Sequence, residues 1–282
     1  MSESGGALVF TDLDGSLLDH HSYRFDEART MLAVLHSLGI PVIPTTSKTR
    51  SEIEVLRGEL ASEHPFIAEN GAAIFIPEGY FAQAPAGTVL RDGYWVKEFS
   101  AAREHWLAIL EDQAPGFAGE FECFYRAGPE GIADMTGLSG AAAQRANERE
   151  YSEPLQWRGS VSRKAEFVTA LREKGANPLQ GGRFLTLAGN CDKGRALVWL
   201  RQAFRDAQQN GEVSDLAVGD SGNDIAMLEA AQSALVVRSP VHDYPDLKRK
   251  KNLIYSTEFG PAGWAQGVGQ WLESIGLTGT QT

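Results

Sequence analysis

Residues 8–16 read LVFTDLDGS, an apolar run that ends in two aspartates one residue apart, followed by a glycine. The apolar residues predict a buried β-strand. Such a strand would deliver Asp12 and Asp14 to its C-terminal end with both carboxylates on the same face. Two carboxylates this close repel each other unless a cation or a shared proton lies between them. The stretch therefore indicates a metal site, a proton-transfer site or both, and the alternative is an acidic turn that caps the next helix.

Strands and helices alternate at both ends of the chain. Short apolar runs bounded by turn residues predict the strands, and apolar residues at helical spacing predict the helices between them. The predicted strands are residues 7–11, 40–44, 66–68, 216–218 and 235–237. This alternation predicts an α/β fold with a doubly wound, mostly parallel sheet, in which the loops after the strands meet at one edge.

The middle of the chain follows a different pattern. Residues 82–187 begin with a linker-like stretch and continue with strand-like and helical pieces that lack acidic loops. We interpret residues 82–187 as an inserted α+β cap domain. The catalytic core is then expected to comprise residues 1–81 and 188–282, joined in one sheet.

The composition narrows the possible partners and the compartment. The chain of 282 residues carries 26 Lys and Arg against 37 Asp and Glu, a net charge of −11. This balance argues against non-specific nucleic-acid binding, which depends on neutralising phosphates. No apolar run approaches membrane-spanning length, the N-terminus has no secretory pattern, and two cysteines fit a reducing compartment. We therefore expect a cytoplasmic protein that binds neither nucleic acid nor membrane, while its oligomeric state is not predicted.

Three further motifs place polar residues after predicted strands or at a helix start. GDSGND at residues 219–224 follows a strand, Lys193 opens a predicted helix, and Thr46 and Ser47 follow the second strand. Carboxylates at two neighbouring strand ends would form an oxygen-lined site that suits Mg²⁺. The lysine and the hydroxyls could hold phosphoryl oxygens. Each motif alone could instead be a helix cap, a surface ion pair with Asp192 or an ordinary polar loop.

Together and in this order, the motifs resemble those of the haloacid dehalogenase-like superfamily of aspartate-nucleophile phosphohydrolases. The resemblance rests on DLDG at residues 12–15, Thr46 or Ser47, Lys193, and GDSGND at residues 219–224. The insertion between the second and third motifs resembles the type-two cap of that superfamily. The resemblance implies a phosphatase with a Rossmann-like core and an α+β cap.

The resemblance also implies catalytic and metal-binding roles. Asp12 would attack phosphorus and form an aspartyl-phosphate, and Asp14 would serve as general acid and then general base. Mg²⁺ would be held by Asp12, the backbone carbonyl of Asp14 and Asp220. An acid at position 14 favours a phosphate ester, because dehalogenating and phosphonate-cleaving members generally lack it.

The remaining motif residues would support that centre. Lys193 and the Thr46 hydroxyl would bind the phosphoryl oxygens. Asn223 and Asp224 would orient Lys193 and metal-bound water.

A closer resemblance, to the mannosyl-3-phosphoglycerate phosphatase family, covers most of the chain. It implies a phosphorylated sugar acid as the substrate. The stretches TSKTRSE, ENGAAI, DMTGL, REYSEP and DKG carry it, at residues 46–52, 69–74, 134–138, 149–154 and 192–194.

Such a substrate needs cationic and polar contacts beyond the phosphate site. The candidates for its carboxylate are Lys48, Arg50, Arg158 and Arg183, because lysine and arginine bind carboxylates well. Glu69 and Asn70 are candidates for sugar hydroxyls. The arginines could equally lie on the surface, and Glu69 and Asn70 could simply form a turn. Another phosphatase or phosphomutase of the same fold, or a non-catalytic binding protein, stays open as an alternative.

Overall fold

The computed structural model describes residues 6–181, 183–209 and 211–277. Within these ranges it has thirteen β-strands and nine α-helices. The strands are β1 (Gly6–Thr11), β2 (Val42–Pro44), β3 (Phe66–Ala68), β4 (Ala73–Pro77), β5 (Val89–Arg91), β6 (Tyr94–Glu98), β7 (Phe121–Cys123), β8 (Glu153–Trp157), β9 (Leu179–Gln180), β10 (Leu185–Leu187), β11 (Val213–Gly219), β12 (Ser233–Arg238) and β13 (Leu253–Phe259). The helices are α1 (Arg29–Ser37), α2 (Arg50–Glu59), α3 (Arg103–Gln113), α4 (Phe124–Thr136), α5 (Gly140–Asn147), α6 (Val161–Glu173), α7 (Lys193–Ala207), α8 (Ile225–Ala230) and α9 (Gly260–Ser274).

The central sheet has the strand order β13-β12-β11-β1-β2, and every neighbouring pair is parallel. In the interior strand β1, Val9 lies opposite Leu216 of β11 on one side and Val42 of β2 on the other. Alternate residues of β1 enter two different cores: Phe10 packs with α7 and α8, and Val9 packs with α1 and α9. Helices on both faces of a parallel sheet confirm the predicted α/β class.

A second, antiparallel sheet has the order β3-β4-β6-β5. It meets the central sheet through a bridge between Thr45 and Ile67. Strands β5 and β6 fall within residues 82–187, yet they pair with β4, which precedes that range. The division into residues 1–81, 82–187 and 188–282 stays a prediction, and this pairing bears on where a cap would begin.

A third sheet, also antiparallel, has the order β7-β8-β10-β9. Its strands and the helices α3 and α6 share a buried cluster that includes Trp106, Leu155 and Phe167. Helices α4 and α5 pack on each other through a smaller cluster of their own. This α+β unit lies between β6 and α7 in the chain.

The start of α2 is fixed by its sequence. The Thr49 hydroxyl accepts a hydrogen bond from the Glu52 N–H at 3.2 Å, and the Glu52 carboxylate accepts one from the Thr49 N–H at 2.9 Å. This capping box anchors the loop between β2 and α2, which carries Thr46 and Ser47. In the part of the chain that the structure describes, no helix is long and apolar enough to cross a membrane.

Candidate active site

Three motif loops meet because their strands are neighbours in the central sheet. Asp12 follows β1, and its N–H donates to the carbonyl of Val218 in β11 at 2.8 Å. On the other side, the Thr45 N–H donates to the carbonyl of Thr11 at 2.7 Å. Backbone hydrogen bonds therefore hold the loops after β1, β2 and β11 at one edge, where parallel α/β sheets place their ligands.

Lys193 is the first residue of α7 and is completely buried. Its Nζ donates to Asp12 Oδ1 at 2.6 Å and to Asp224 Oδ1 at 2.7 Å. Burial by itself lowers the pKa of Lys193, but the charges of Asp12 and Asp224 outweigh burial and raise it above the ordinary value. Lys193 is therefore a charged ammonium held between two carboxylates.

A cluster of buried carboxylates lies beside Lys193. Asp12, Asp220 and Asp224 each offer an oxygen, and these oxygens all lie within 4.8 Å of one another. Burial and the charge of Asp224 raise the pKa of Asp12 well above its ordinary value, although Lys193 opposes the rise. Burial and Asp224 likewise raise the pKa of Asp220 to about 6. The single buried lysine does not balance this negative charge.

The residues around the cluster fit a hard divalent cation. Asp224 Oδ2 already accepts the N–H groups of Asp220 and Ser221, at 3.1 and 3.0 Å, so Asp224 is the most fully occupied of the three carboxylates. Gly15 has φ +80°, and a Cβ there would lie 2.6 Å from Asp220 Oδ2. The glycine therefore leaves room beside Asp220. Oxygen ligands with this much negative charge suit such a cation.

Asp14 has different surroundings from Asp12, although only Leu13 separates them in sequence. Its carboxylate is partly exposed and its Oδ2 pairs with Lys48 Nζ at 2.8 Å. Asp14 Oδ1 is buried and has no hydrogen-bond partner among the described residues. Asp14 lines a cleft of about 230 Å³, and its partly exposed carboxylate is paired there with Lys48, which lines the same cleft.

This cleft lies between the central sheet and the α+β unit. On the sheet side it is lined by Ser47, Lys48, Asn70 and Asn223 as well as Asp14. On the other side it is lined by residues of the insertion, among them Phe124, Thr136, Leu138, Arg149, Arg183, Phe184 and Thr186. The cleft therefore brings core motif residues and insertion residues to one binding space.

The loop after β2 contributes the predicted hydroxyl and ammonium groups. Thr46 is buried, and its Oγ1 accepts the N–H of Lys48 at 3.3 Å. Burial lowers the pKa of Lys48, but Asp14 and Glu52 outweigh it and raise the pKa above the ordinary value. The Lys48 ammonium is paired with Asp14, so its charge is already shared with a carboxylate before a substrate binds.

The side chains of Glu69 and Asn70 have different surroundings, although the two residues are neighbours in sequence. Asn70 lines the cleft, and its Oδ1 accepts a hydrogen bond from Asn223 Nδ2 at 3.2 Å. Glu69 is buried away from the cleft wall, and its oxygens accept the Glu150 N–H at 2.8 Å and the Ser152 hydroxyl at 2.6 Å. The expectation that Glu69 contacts sugar hydroxyls stays a prediction that this placement does not favour, because donors of the insertion already occupy its carboxylate.

Only one of the two candidate arginines of the insertion lines the cleft. Arg183 lines the cleft, and its guanidinium donates to the carbonyls of Met135 and Thr136 at 3.2 and 3.3 Å. Arg158 is exposed at the end of β8 and does not line the cleft. The expectation that Arg158 binds substrate stays a prediction that this placement does not favour, since β8 contributes Pro154 to the cleft wall and Arg158 lies four residues beyond it.

Two residues near the site were missed by the sequence reasoning. His242 Nε2 lies 3.3 Å from Asp220 Oδ2, in the loop after β12. Because β12 is the next strand beside β11, the loop after it reaches the same sheet edge, and this position was a usable signal. Arg149 lines the cleft from the insertion. It opens the REYSEP stretch that carries the closer resemblance, but no feature of the sequence assigned it a role of its own.

Family models match both ends of the chain. Residues 9–84 match the model described as haloacid dehalogenase-like hydrolase, and residues 180–272 match the one described as sucrose-6F-phosphate phosphohydrolase. With the parallel sheet and its acidic edge, these matches define the protein as a haloacid dehalogenase-like hydrolase.

Relatives of known activity extend over nearly the whole chain. The glucosyl-3-phosphoglycerate/mannosyl-3-phosphoglycerate phosphatase of Methanococcoides burtonii is 36% identical over 261 residues, which are 93% of this chain and 95% of that protein. The mannosyl-3-phosphoglycerate phosphatase of Pyrococcus horikoshii is 35% identical over 236 residues, 83% of this chain and 92% of that protein. The chain therefore belongs to this family of phosphatases.

A solved structure shows the same fold. The sucrose-phosphatase of Synechocystis, in complex with sucrose and phosphate, is similar with a TM-score of 0.60 and 14% identity. The similarity covers 96% of this chain and 98% of that one.

Proposed function

We propose that this phosphatase hydrolyses a phosphate ester through an aspartyl-phosphate on Asp12, with Asp14 as the proton donor and acceptor. One observation carries the assignment: two aspartates of a single turn have unlike surroundings. Asp12 is buried and hydrogen-bonded to Lys193, whereas Asp14 is partly exposed in the cleft wall and is paired with Lys48. A nucleophile needs to be fixed and a proton carrier needs to reach the leaving group, and these surroundings match the two needs.

The proposed reaction has two steps. In the first, an Asp12 oxygen bonds to phosphorus, the bond from phosphorus to the ester oxygen breaks, and Asp14 gives its proton to the departing alkoxide. In the second, Asp14 takes a proton from water. That water attacks phosphorus, releases inorganic phosphate and restores the Asp12 carboxylate. Both steps need Asp14 to face the cleft.

The neighbouring side chains would hold the phosphoryl group during these steps. We assign its oxygens to the Lys193 ammonium and the Thr46 hydroxyl, which compensate the charge that builds up on them. Asp224 holds Lys193 in place at 2.7 Å, and Asn223 contributes to the same cleft wall.

Asp12, Asp220 and the backbone carbonyl of Asp14 would hold Mg²⁺, with Asp224 beside them. When bound, the ion supplies positive charge that offsets the phosphoryl oxygens and the carboxylates. The raised pKa values of Asp12 and Asp220 support this assignment, because a bound cation favours their charged forms.

For the substrate, we propose mannosyl-3-phosphoglycerate or its glucosyl analogue. The names of the relatives support this choice, since their likeness covers the insertion as well as the core. We assign the substrate carboxylate to Arg183, whose described partners are neutral carbonyls, so that its charge is available to an anion in the cleft. The predicted cap, residues 82–187, would thus set the specificity.

A panel of phosphate esters tests this function. We expect phosphate release in the presence of Mg²⁺, with kcat/KM for mannosyl-3-phosphoglycerate at least about tenfold above that for hexose 6-phosphates. EDTA and the Asp12→Ala variant should each abolish release. A preference for hexose phosphates would overturn the substrate assignment, and turnover by Asp12→Ala equal to wild type would overturn the mechanism.

A further inference from the structure

One segment of the insertion, residues 145–152, returns to the core and touches two of its loops. The hydroxyl of Thr49 donates to the carbonyl of Arg145 at 2.9 Å. The N–H of Glu150 donates to Glu69 at 2.8 Å, and the Ser152 hydroxyl donates to the same carboxylate at 2.6 Å. We refer to residues 145–152 as the bridging segment.

Arg149 is the bridging-segment residue that reaches both the cleft and the loop after β2. Its side chain is 5% exposed. Its Nη2 donates to the carbonyl of Ser47 at 2.9 Å, and both Nε and Nη2 donate to the Ser152 hydroxyl at 3.1 and 3.0 Å. Its Nε also lies 3.4 Å from Glu69 Oε2. One guanidinium therefore connects the insertion to two core loops.

The turn that presents Glu69 is held in an uncommon backbone conformation. Glu69 and Asn70 have φ values of 50° and 60°, in the left-handed region that residues with a side chain rarely adopt, and Gly71 follows at 89°. Such a turn persists only when its surroundings fix it. Here it directs Glu69 toward the bridging segment and Asn70 toward the cleft.

The Ser47 carbonyl that Arg149 holds belongs to the proposed phosphate-binding loop. The N–H of the same peptide group, on Lys48, donates to Thr46 Oγ1 at 3.3 Å, and Thr46 carries the hydroxyl assigned to a phosphoryl oxygen. A change in the Ser47 peptide would therefore move the Thr46 hydroxyl and the Lys48 ammonium together. Glu69 in turn fixes Arg149, because a buried guanidinium paired with a carboxylate keeps one geometry.

We propose that Arg149 is a positioning residue for the phosphate-binding loop, residues 45–49, and that Glu69 holds it in place. This inference rests on the proposed function, because it concerns how the phosphate-binding loop of the same site is held in position. The loop is in its phosphate-binding form when the bridging segment is docked on the core. The phosphate site is thereby coupled to the position of the insertion, although Arg149 itself does not bind the phosphoryl group.

The competing role for Arg149 is direct contact with the sugar-acid part of the substrate, since it lines the cleft. The two roles differ in their dependence on the substrate. A positioning residue affects every phosphate ester alike, including p-nitrophenyl phosphate, and also affects inorganic phosphate as an inhibitor. A direct contact affects only substrates that carry the sugar acid.

The test compares Arg149→Lys with Arg201→Lys. Arg201 is also a mostly buried arginine paired with a buried carboxylate, Asp215, at 2.7 Å, and none of its described contacts is with the bridging segment or with residues 45–49. We expect Arg149→Lys to lower kcat/KM about tenfold to a hundredfold for p-nitrophenyl phosphate and for mannosyl-3-phosphoglycerate, mainly through KM. The inhibition constant of inorganic phosphate should rise by a similar factor. Arg201→Lys should stay within about twofold of wild type on all three.

Amide hydrogen exchange supplies a readout that needs no turnover. Peptides spanning residues 45–52 should exchange faster in Arg149→Lys and in Glu69→Gln than in wild type or Arg201→Lys. A loss confined to mannosyl-3-phosphoglycerate would overturn the positioning role and indicate direct contact. Unchanged kinetics or unchanged exchange would overturn it as well.

The outcomes for the proposed function are separate. If wild type hydrolyses p-nitrophenyl phosphate but no glycosyl-3-phosphoglycerate, the substrate assignment fails and the positioning test proceeds on the aryl ester. If wild type hydrolyses no ester, the proposed function fails, and the exchange of residues 45–52 alone decides the role of Arg149.

Discussion

At the scale of single residues, Lys193 connects two of the buried carboxylates of the site. It is completely buried, and its ammonium is the shared partner of Asp12 and Asp224. The sequence placed Lys193 at a helix start near the acidic loops, and the structure places it there. The family resemblance implies that Asp224 orients Lys193. The sequence does not give the contact itself, because that contact depends on how α7 packs against the loop after β11.

Replacing Lys193 should therefore cost stability as well as activity. Lys193→Met leaves Asp12 and Asp224 buried without their cation, and we expect the free energy of unfolding at pH 7 to fall by about 3 kcal/mol. Urea unfolding in EDTA measures the change. The control is Arg195→Met, an exposed cation two residues later, which should change stability by less than about 0.5 kcal/mol. Equal effects of the two variants would contradict the central place of Lys193.

Asp220 predicts a dependence of stability on pH. Burial raises its pKa from 3.8 to about 6, so the folded metal-free protein binds an extra proton between these pH values. Because the folded state binds more protons than the unfolded state there, raising the pH from 4 to 6 should lower stability, by at most about 3 kcal/mol from this group.

The matching variant is Asp220→Asn, which removes the titration. In EDTA we expect it to unfold at a higher urea concentration than wild type at pH 7, with the advantage shrinking toward pH 4. With Mg²⁺ it should lose activity, since a proposed ligand is gone. An advantage that grows as the pH falls would show that the sign of the pKa shift is wrong.

At the scale of elements, the strand ends were predictable and the connections between distant loops were not. Apolar runs and turn residues predict β1, β2, β11 and β12, and the parallel sheet that these strands form brings their loops to one edge. Strand β13 lies at the sheet edge with mostly exposed residues, so it lacks the apolar run of an interior strand. The partners of Glu69 lie 81 to 83 residues away, and no local pattern indicates them.

The turn at residues 69–71 approaches the start of α7 closely enough to require glycine. A Cβ on Gly71 would lie 2.2 Å from the carbonyl oxygen of Asp192. Gly71→Ala should therefore lower the free energy of unfolding by about 1–2 kcal/mol for its positive φ and by about 1–3 kcal/mol more for the collision. Chemical denaturation gives the number.

Gly79 provides the matched control. Its φ is +80°, and nothing lies within 4 Å of a Cβ placed there. Gly79→Ala should show the cost of positive φ alone, so the difference between the two variants isolates the contact with Asp192. If both variants lose the same stability, the approach of the turn to α7 is not a constraint.

At the scale of the whole molecule, the cleft combines core and insertion residues. The α/β class and the inserted unit could be predicted because they depend on the order of elements along the chain. Which insertion residues face the cleft could not, because that depends on how two sheets are packed. Arg158 and Arg183 are an example. The sequence makes both of them equal candidates for the substrate carboxylate, and the structure places only Arg183 in the cleft wall.

Arg183 should therefore affect one class of substrate. Arg183→Met should lower kcat/KM for mannosyl-3-phosphoglycerate about tenfold to a hundredfold, because a charged hydrogen bond to its carboxylate is lost. Hydrolysis of p-nitrophenyl phosphate should be almost unchanged. Arg158→Met, the exposed arginine outside the cleft, is the control and should leave both substrates unaffected. A loss shared equally by the two substrates would place Arg183 in the phosphate site.

The assignment of Asp12 as nucleophile and Asp14 as proton donor and acceptor is tested most directly by comparing Asp12→Asn and Asp14→Asn. The comparison uses one substrate with a good leaving group and one with a poor leaving group. We predict that Asp12→Asn abolishes turnover of both p-nitrophenyl phosphate and mannosyl-3-phosphoglycerate. Asp14→Asn should impair the sugar substrate far more than the aryl ester, because an activated phenolate leaves without help from an acid. Mass spectrometry of acid-quenched enzyme should detect phosphate on Asp12 in Asp14→Asn and none in Asp12→Asn. Identical behaviour of the two variants on the aryl ester would contradict the account.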